Sequence, residues 1–227
     1  MQTILQTPTP NLAQSLHFYQ QLNFQLLPTS SKIVTDERVN ILINPDRFAR
    51  LGILLYQEDW STSITKLKKQ YTLIEQTNGY LLSAPSGVQV QLINSKFPTQ
   101  PAKETSFALT GQFAGISIET TDFTQSLHFW ESIGYTTQSG SIIQGWLTLS
   151  NESDVAISLM KIGSCPHLFF NPSLTYFNGA NNLAIIKQIK ALQIPITEEI
   201  TYFNKEGIVD NIIIRDPGGL GFFLFND

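Results

Sequence analysis

Apolar and polar positions alternate in short runs along most of this chain, and only four stretches change to helical spacing. In the first half, alternation predicts strands over residues 3–7, 24–27, 32–35, 39–44, 51–57, 71–76, 80–84 and 88–93. Leu12, Leu16 and Tyr19 recur at helical spacing behind Asn11, a natural N-cap with Gln14 three residues on. A second helix is expected over residues 61–70. The second half predicts strands over 114–120, 136–138, 142–150, 155–162, 174–177, 211–215 and 220–225, with helices behind Asp122 and over about 181–192. Strands outnumber helices, and each half reads as two β-α-β-β-β units.

The halves are copies. Gln14-Ser15-Leu16-His17-Phe18 returns as Gln125-Ser126-Leu127-His128-Phe129, 111 positions later. Around it Asn11 matches Asp122, Tyr19 matches Trp130, Leu22 matches Ile133 and Phe24 matches Tyr135. Ala84-Pro85-Ser86-Gly87 and Asp216-Pro217-Gly218-Gly219 each precede the last strand of a half. Self-similarity at this period marks a duplicated unit.

Composition narrows the function. At 227 residues the chain can hold two cores. A net charge of −4 leaves no clustered Lys and Arg for nucleic acid, and Lys66, Lys68 and Lys69 read as the wet face of a short helix. No stretch reaches the roughly 20 apolar residues of a membrane span. The start lacks the basic-then-apolar pattern of a secretory signal. A cytoplasmic protein without nucleic-acid or membrane partners is expected. The single cysteine, Cys165, excludes an intrachain disulfide and fits a reducing compartment.

The order strand, Asp122, Ser126-Leu127, Phe129-Trp130, Gly134-Tyr135 and finally Asp216-Pro217-Gly218-Gly219 resembles the vicinal oxygen chelate superfamily. Glyoxalase I, bleomycin-resistance proteins and extradiol dioxygenases belong to it. Residues 11–24 with 85–92 repeat the pattern more weakly. The resemblance implies an α+β fold of tandem paired β-α-β-β-β units, curled into cup-shaped, mostly antiparallel sheets. It implies domains at 1–94 and 113–227 joined by a linker at 95–112. It also implies where metal-dependent relatives place ligands: Ile4, about Gly52 and Gln91 in the first half, and Gly115, about Leu174 and Phe223 in the second. Only Gln91 carries a coordinating group, so no metal and no other cofactor is expected.

Strand alternation assigns faces. Ile116 and Ile118 turn to the helices, leaving Gly115, Ser117 and Glu119 on the cup side. Val88, Val90 and Leu92 likewise leave Gln89 and Gln91 on the cup side, and Gln6 follows the same sense. Phe222 and Leu224 oppose Phe223 and Phe225. Trp146 is a stacking platform or a core residue. Glu119 is a candidate base if aromatic neighbours raise its pKa. His17 and His128 read as structural, and Cys165 with His167 as loop residues rather than a nucleophile pair.

Three functions remain. The first is a metal-free, glyoxalase- or bleomycin-resistance-like protein binding a small planar or cationic molecule through Gln6, Gln89, Gln91, Ser117, Glu119, Trp146, Phe223 and Phe225, as a pseudo-dimeric monomer or a homodimer. The second is a lyase, isomerase or dioxygenase, metal-dependent or using Glu119 as base. The third is an interaction scaffold, which predicts a cup plugged by Phe223, Phe225 and their neighbours.

Overall fold

The computed structural model describes residues 1–97, 107–152 and 155–227. Half of the expected linker, 98–106, lies outside the described residues. Four β-α-β-β-β units follow one another. The first comprises Gln2–Pro8 (β1), Leu12–Gln21 (α1), Gln25–Leu26 (β2), Ile33–Thr35 (β3) and Asn40–Asn44 (β4). The second comprises Gly52–Gln57 (β5), Ser61–Leu67 (α2), Ile74–Gln76 (β6), Gly79–Ser83 (β7) and Gln89–Asn94 (β8). The third comprises Phe113–Thr120 (β9), Phe123–Ser132 (α3), Thr136–Ser141 (β10), Trp146–Ser150 (β11) and Ile157–Lys161 (β12). The fourth comprises Ser173–Phe177 (β13), Asn182–Ala191 (α4), Ile196–Ile200 (β14), Asn211–Arg215 (β15) and Gly221–Phe225 (β16).

Each half makes one open eight-stranded sheet, ordered β2-β3-β4-β1-β5-β8-β7-β6 and β10-β11-β12-β9-β13-β16-β15-β14. The two orders are the same once the second is renumbered, which is the duplication seen in space. Within a unit the first strand pairs parallel with the last, and the two units of a half meet antiparallel through their first strands.

Register puts equivalent apolar residues in one row across each sheet. Leu5, Ile53 and Val90 align in the first half, and Ile116, Leu174 and Phe222 in the second. All six are fully buried and share one core that spans both halves. Phe18, Tyr19 and Phe24 of the first half hold their rings 5.9, 6.1 and 6.4 Å from Phe222. The halves therefore fold against each other through their helices.

The repeated pentapeptide now has a partial explanation. Asn11 and Asp122 accept the amides of Gln14 (3.2 Å) and Gln125 (2.9 Å) as N-caps. Ser15 and Ser126 are buried and bond Thr9 and Thr120, each at 2.7 Å. Phe18 and Phe129 fill the core.

Three expectations are corrected. β14 reads Ile-Thr-Glu-Glu-Ile and was not foreseen, because an edge strand with two charges breaks the apolar pattern. Residues 142–145 turn between β10 and β11 rather than continuing a strand, with Gly145 at φ +77°. The second helix stops at Leu67, and residues 71–73 precede β6 without joining it. No helix among the described residues is long and apolar enough to cross a membrane.

Candidate functional site

The face of each sheet turned away from the helices carries the residues singled out from sequence. On the first sheet Ile4, Leu54 and Gln91 form one row, flanked by the row containing Gln6, Gly52 and Gln89. The implied ligand position at Gly52 is thus corrected to Leu54, which stands directly across from Ile4. On the second sheet the corresponding row is Gly115, Thr175 and Phe223. Leu174 is corrected to Thr175, because Leu174 points into the shared core.

Neither row suits a divalent cation. Ile4, Leu54, Gly115 and Phe223 have no donor atom, and Gln91 and Thr175 are neutral single donors. Gly115 could not exchange for a larger ligand in place: its φ is +148°, and a Cβ there would lie 2.8 Å from the Ala156 carbonyl oxygen. Among the described residues no group of three His, Cys, Asp or Glu side chains converges.

The two faces have diverged in how they are covered. In the second half, residues 163–172 leave β12 and lay Phe169 and Phe170 onto the sheet. Phe170 sits over Gly221, where a Cβ would come within 2.6 Å of its ring. Phe223 is 1% exposed and packs with Ile200 and Ile213, with Phe169, Phe170 and Phe225 against them. Its ring centroid is 5.2 Å from Phe169, 5.7 Å from Phe225 and 5.0 Å from His167. Ser117 is buried and bonds Thr175 at 2.7 Å. The plug expected of a scaffold is present here.

Glu119 lies outside that plug. Its carboxylate accepts the Gly163 amide at 3.2 Å, and the side chain is only half-buried. The aromatic cage that would make it a base is absent around it among the described contacts. Cys165 contacts the Met160 sulfur at 3.3 Å. Burial, then the charge of Glu119, push its thiol up, opposite to what a nucleophile needs. His167 is bonded through Nδ1 to the Leu168 carbonyl at 2.8 Å, not to Cys165. Trp146 is 44% exposed on the same sheet face, so it is not core.

The centre of the first face is covered as well, with Ile4 at 1% and Leu54 at 3% exposure, while more of its rim is half-buried. Gln6 is 3% exposed; it donates to the Arg50 carbonyl at 2.9 Å and accepts from Asn44 at 2.8 Å. Gln89 and Gln91 are half-buried, and their amides bond no other described residue. Register places Gln2, Asn40, Leu42, Tyr56, Leu81 and Ile93 on the same face. No strand contributes a charged side chain to it.

His17 and His128 were read as structural, but both are exposed. Each lines a cleft between the halves. One, about 950 Å³, runs between the α2 end and α3; the other, about 580 Å³, runs between α1 and the β15–β16 turn. The repeat itself was the signal that could have found them.

Comparison with known proteins supports the fold and goes no further. No family model matches the sequence, and no curated protein matches it. Among solved structures, a variant of homoprotocatechuate 2,3-dioxygenase from Brevibacterium fuscum superposes with a TM-score of 0.60 at 12% identity, covering 99% of this chain and 70% of that one. 2,2',3-Trihydroxybiphenyl 1,2-dioxygenase from Sphingomonas wittichii gives 0.55 at 14%, covering 99% and 91%. The 2,3-dioxygenase LapB from Pseudomonas sp. KL28 gives 0.57 at 14%, covering 97% and 89%. The chain thus has the two-half α+β fold of the extradiol dioxygenases.

Proposed function

We propose that this chain is a metal-independent binding protein on the extradiol-dioxygenase fold, seating a small uncharged polar molecule at the amide-lined rim of the first half's sheet face. The observation that carries this is the pair Gln89 and Gln91. Two neighbouring half-buried amides left unbonded by protein offer donors and acceptors to a ligand, while Gln6 and Asn44 hold each other in place. Strands that contribute no carboxylate give a cation no partner, which favours a neutral hydroxyl-, carbonyl- or amide-bearing ligand over the cationic one expected from net charge. The implied metal does not fit the residues at its positions, so no chemical step is assigned to them.

A thermal-shift screen with sugars, nucleosides, small amides and planar cations tests this reading, since a ligand of the folded state must raise the melting point. A neutral compound whose shift vanishes in the Gln89→Leu/Gln91→Leu variant supports it. Stoichiometric iron, manganese or zinc in the purified protein would overturn it. The filled second face favours a second reading, an interaction scaffold without a small ligand; a screen in which no compound moves the transition supports that one instead.

A further inference from the structure

The duplicated pentapeptide keeps two residues that packing does not require. Ser, Leu and Phe of each copy are wholly or partly buried, but Gln14, His17, Gln125 and His128 are exposed. Capping does not account for the glutamines either. In a reciprocal capping box their side chains would return to the N-cap amide, yet those amides go to the hydroxyls of Thr9 (3.1 Å) and Thr120 (3.2 Å). Both copies of the Gln-and-His pair instead line the clefts between the halves.

In the larger cleft the opposite half supplies cations. Gln125 and His128 of α3 face Lys66 and Lys69, from the end of α2 and the turn after it. The smaller cleft has no such supply: Arg215, at the end of β15, lines it, but its guanidinium stands 5.4 Å from the Phe170 ring, on the plugged face. Lys66 and Lys69 make no ion pair with any described residue. Thr124 and Ser132 add hydroxyls to the first cleft and Thr197 adds one to the second. One acid lines each cleft: Glu131 stands 3.5 Å from His128 Nδ1, and Asp216 is buried under the Tyr19 hydroxyl. Tyr71, which also lines the larger cleft, has a buried hydroxyl without a partner.

We propose that the larger cleft is an oxyanion-binding site, built from Gln125 and His128 of one half and Lys66 and Lys69 of the other. Two unpaired ammonium groups beside amide and hydroxyl donors suit a phosphate-like group, which accepts several charge-assisted bonds at once. The site is separate from the amide-lined face and does not depend on it.

The chain has three histidines, and the third, His167, sits in the aromatic plug, which provides an internal control. Imidazole NMR signals, assigned with single His→Gln variants, are followed while inorganic phosphate or pyrophosphate is added at fixed pH and ionic strength. The His128 signal should move and saturate, while those of His17 and His167 stay still. In the Lys66→Gln/Lys69→Gln variant, whose changed side chains bond nothing, the midpoint at His128 should rise at least tenfold. Movement without saturation, equal movement of His17 or His167, or an unchanged midpoint in the variant overturns the proposal.

Discussion

The phenolic hydroxyl of Tyr19 donates to Asp216 Oδ2 at 2.9 Å, joining α1 of one half to the β15–β16 turn of the other. The equivalent position of the duplicated frame lacks this tie. Trp130 takes the place of Tyr19 and Ala84 that of Asp216, and Trp130 Nε1 is buried without a partner. Asp216 also accepts the Leu220 amide at 2.7 Å, and a Cβ on the nearby Gly218 would run into the Pro8 carbonyl. Two further buried bonds join the halves, Tyr135 with Thr3 at 2.7 Å and Tyr176 donating to Asp36 at 3.4 Å.

Replacing Tyr19 by Phe should therefore destabilise the protein without altering its fold. A buried carboxyl group deprived of one donor costs about 1–3 kcal/mol. In a chain of this size each kcal/mol lowers the melting midpoint by roughly 2–4 °C. Calorimetry checks this, and a midpoint equal to the parent would show that the tie contributes nothing.

Asp216 also makes a pH prediction. Burial, opposed by bonds from Thr7, Leu220, Tyr19 and Gly219, leaves its pKa above the usual value. The native state then holds its proton to higher pH than the unfolded chain, which releases it near 3.9. The sign follows: the group's contribution is full below the unfolded pKa and declines as pH rises through the native one. Denaturant melts of the parent and Asp216→Asn between pH 4 and 8 should show the parent losing ground relative to the variant as pH rises. A constant difference, or one that grows with pH, would contradict this.

Much of this arrangement was legible in the sequence, for local reasons. Period-two alternation settled which way Ile116 and Ile118 face, and duplication settled the four units and their order. Two kinds of feature escaped. The first needs register: a one-residue error exchanged Leu174, a core side chain, for Thr175, its neighbour on the opposite face, because successive strand residues point to opposite sides. The second is tertiary. Nothing periodic in residues 163–172 announces that Phe170 covers a glycine 51 positions later. His17 and His128, read as structural, are exposed, and a helix stripe shows which side is apolar but not what a second half places opposite the polar side.

Restoring a ligand set at the implied positions should fail for backbone reasons. Gly115→His would force a side chain into a φ of +148° and against the Ala156 carbonyl, a conformation costing about 1–3 kcal/mol before any clash. Phe223→Glu would bury a carboxylate beside Ile200 and Ile213, which is unfavourable without a partner. The triple change Gly115→His, Thr175→His and Phe223→Glu is expected to be unfolded or to bind no metal tightly. A folded triple variant holding one equivalent of Fe(II) would refute the claim that this row is unsuited to a cation.

The plug of the second face is testable through one pair. A methyl group at Gly221 would stand 2.6 Å from Phe170 Cδ2 and 2.9 Å from its Cβ, too close for both to stay in place. Gly221→Ala alone should therefore expel the Phe170 ring and lose its packing. Phe170→Ala alone should cost less than the roughly 3–5 kcal/mol of a fully buried ring, because Phe170 is partly exposed. With the ring gone, the added methyl has room, so the second substitution should cost little in that background. The double variant is then expected to be more stable than the summed single losses predict, by about 0.5–3 kcal/mol, the range for residues in direct contact. Urea melts of the four proteins measure that coupling. Strict additivity would mean that the ring does not rest on Gly221, and the second face would then be open to a ligand after all.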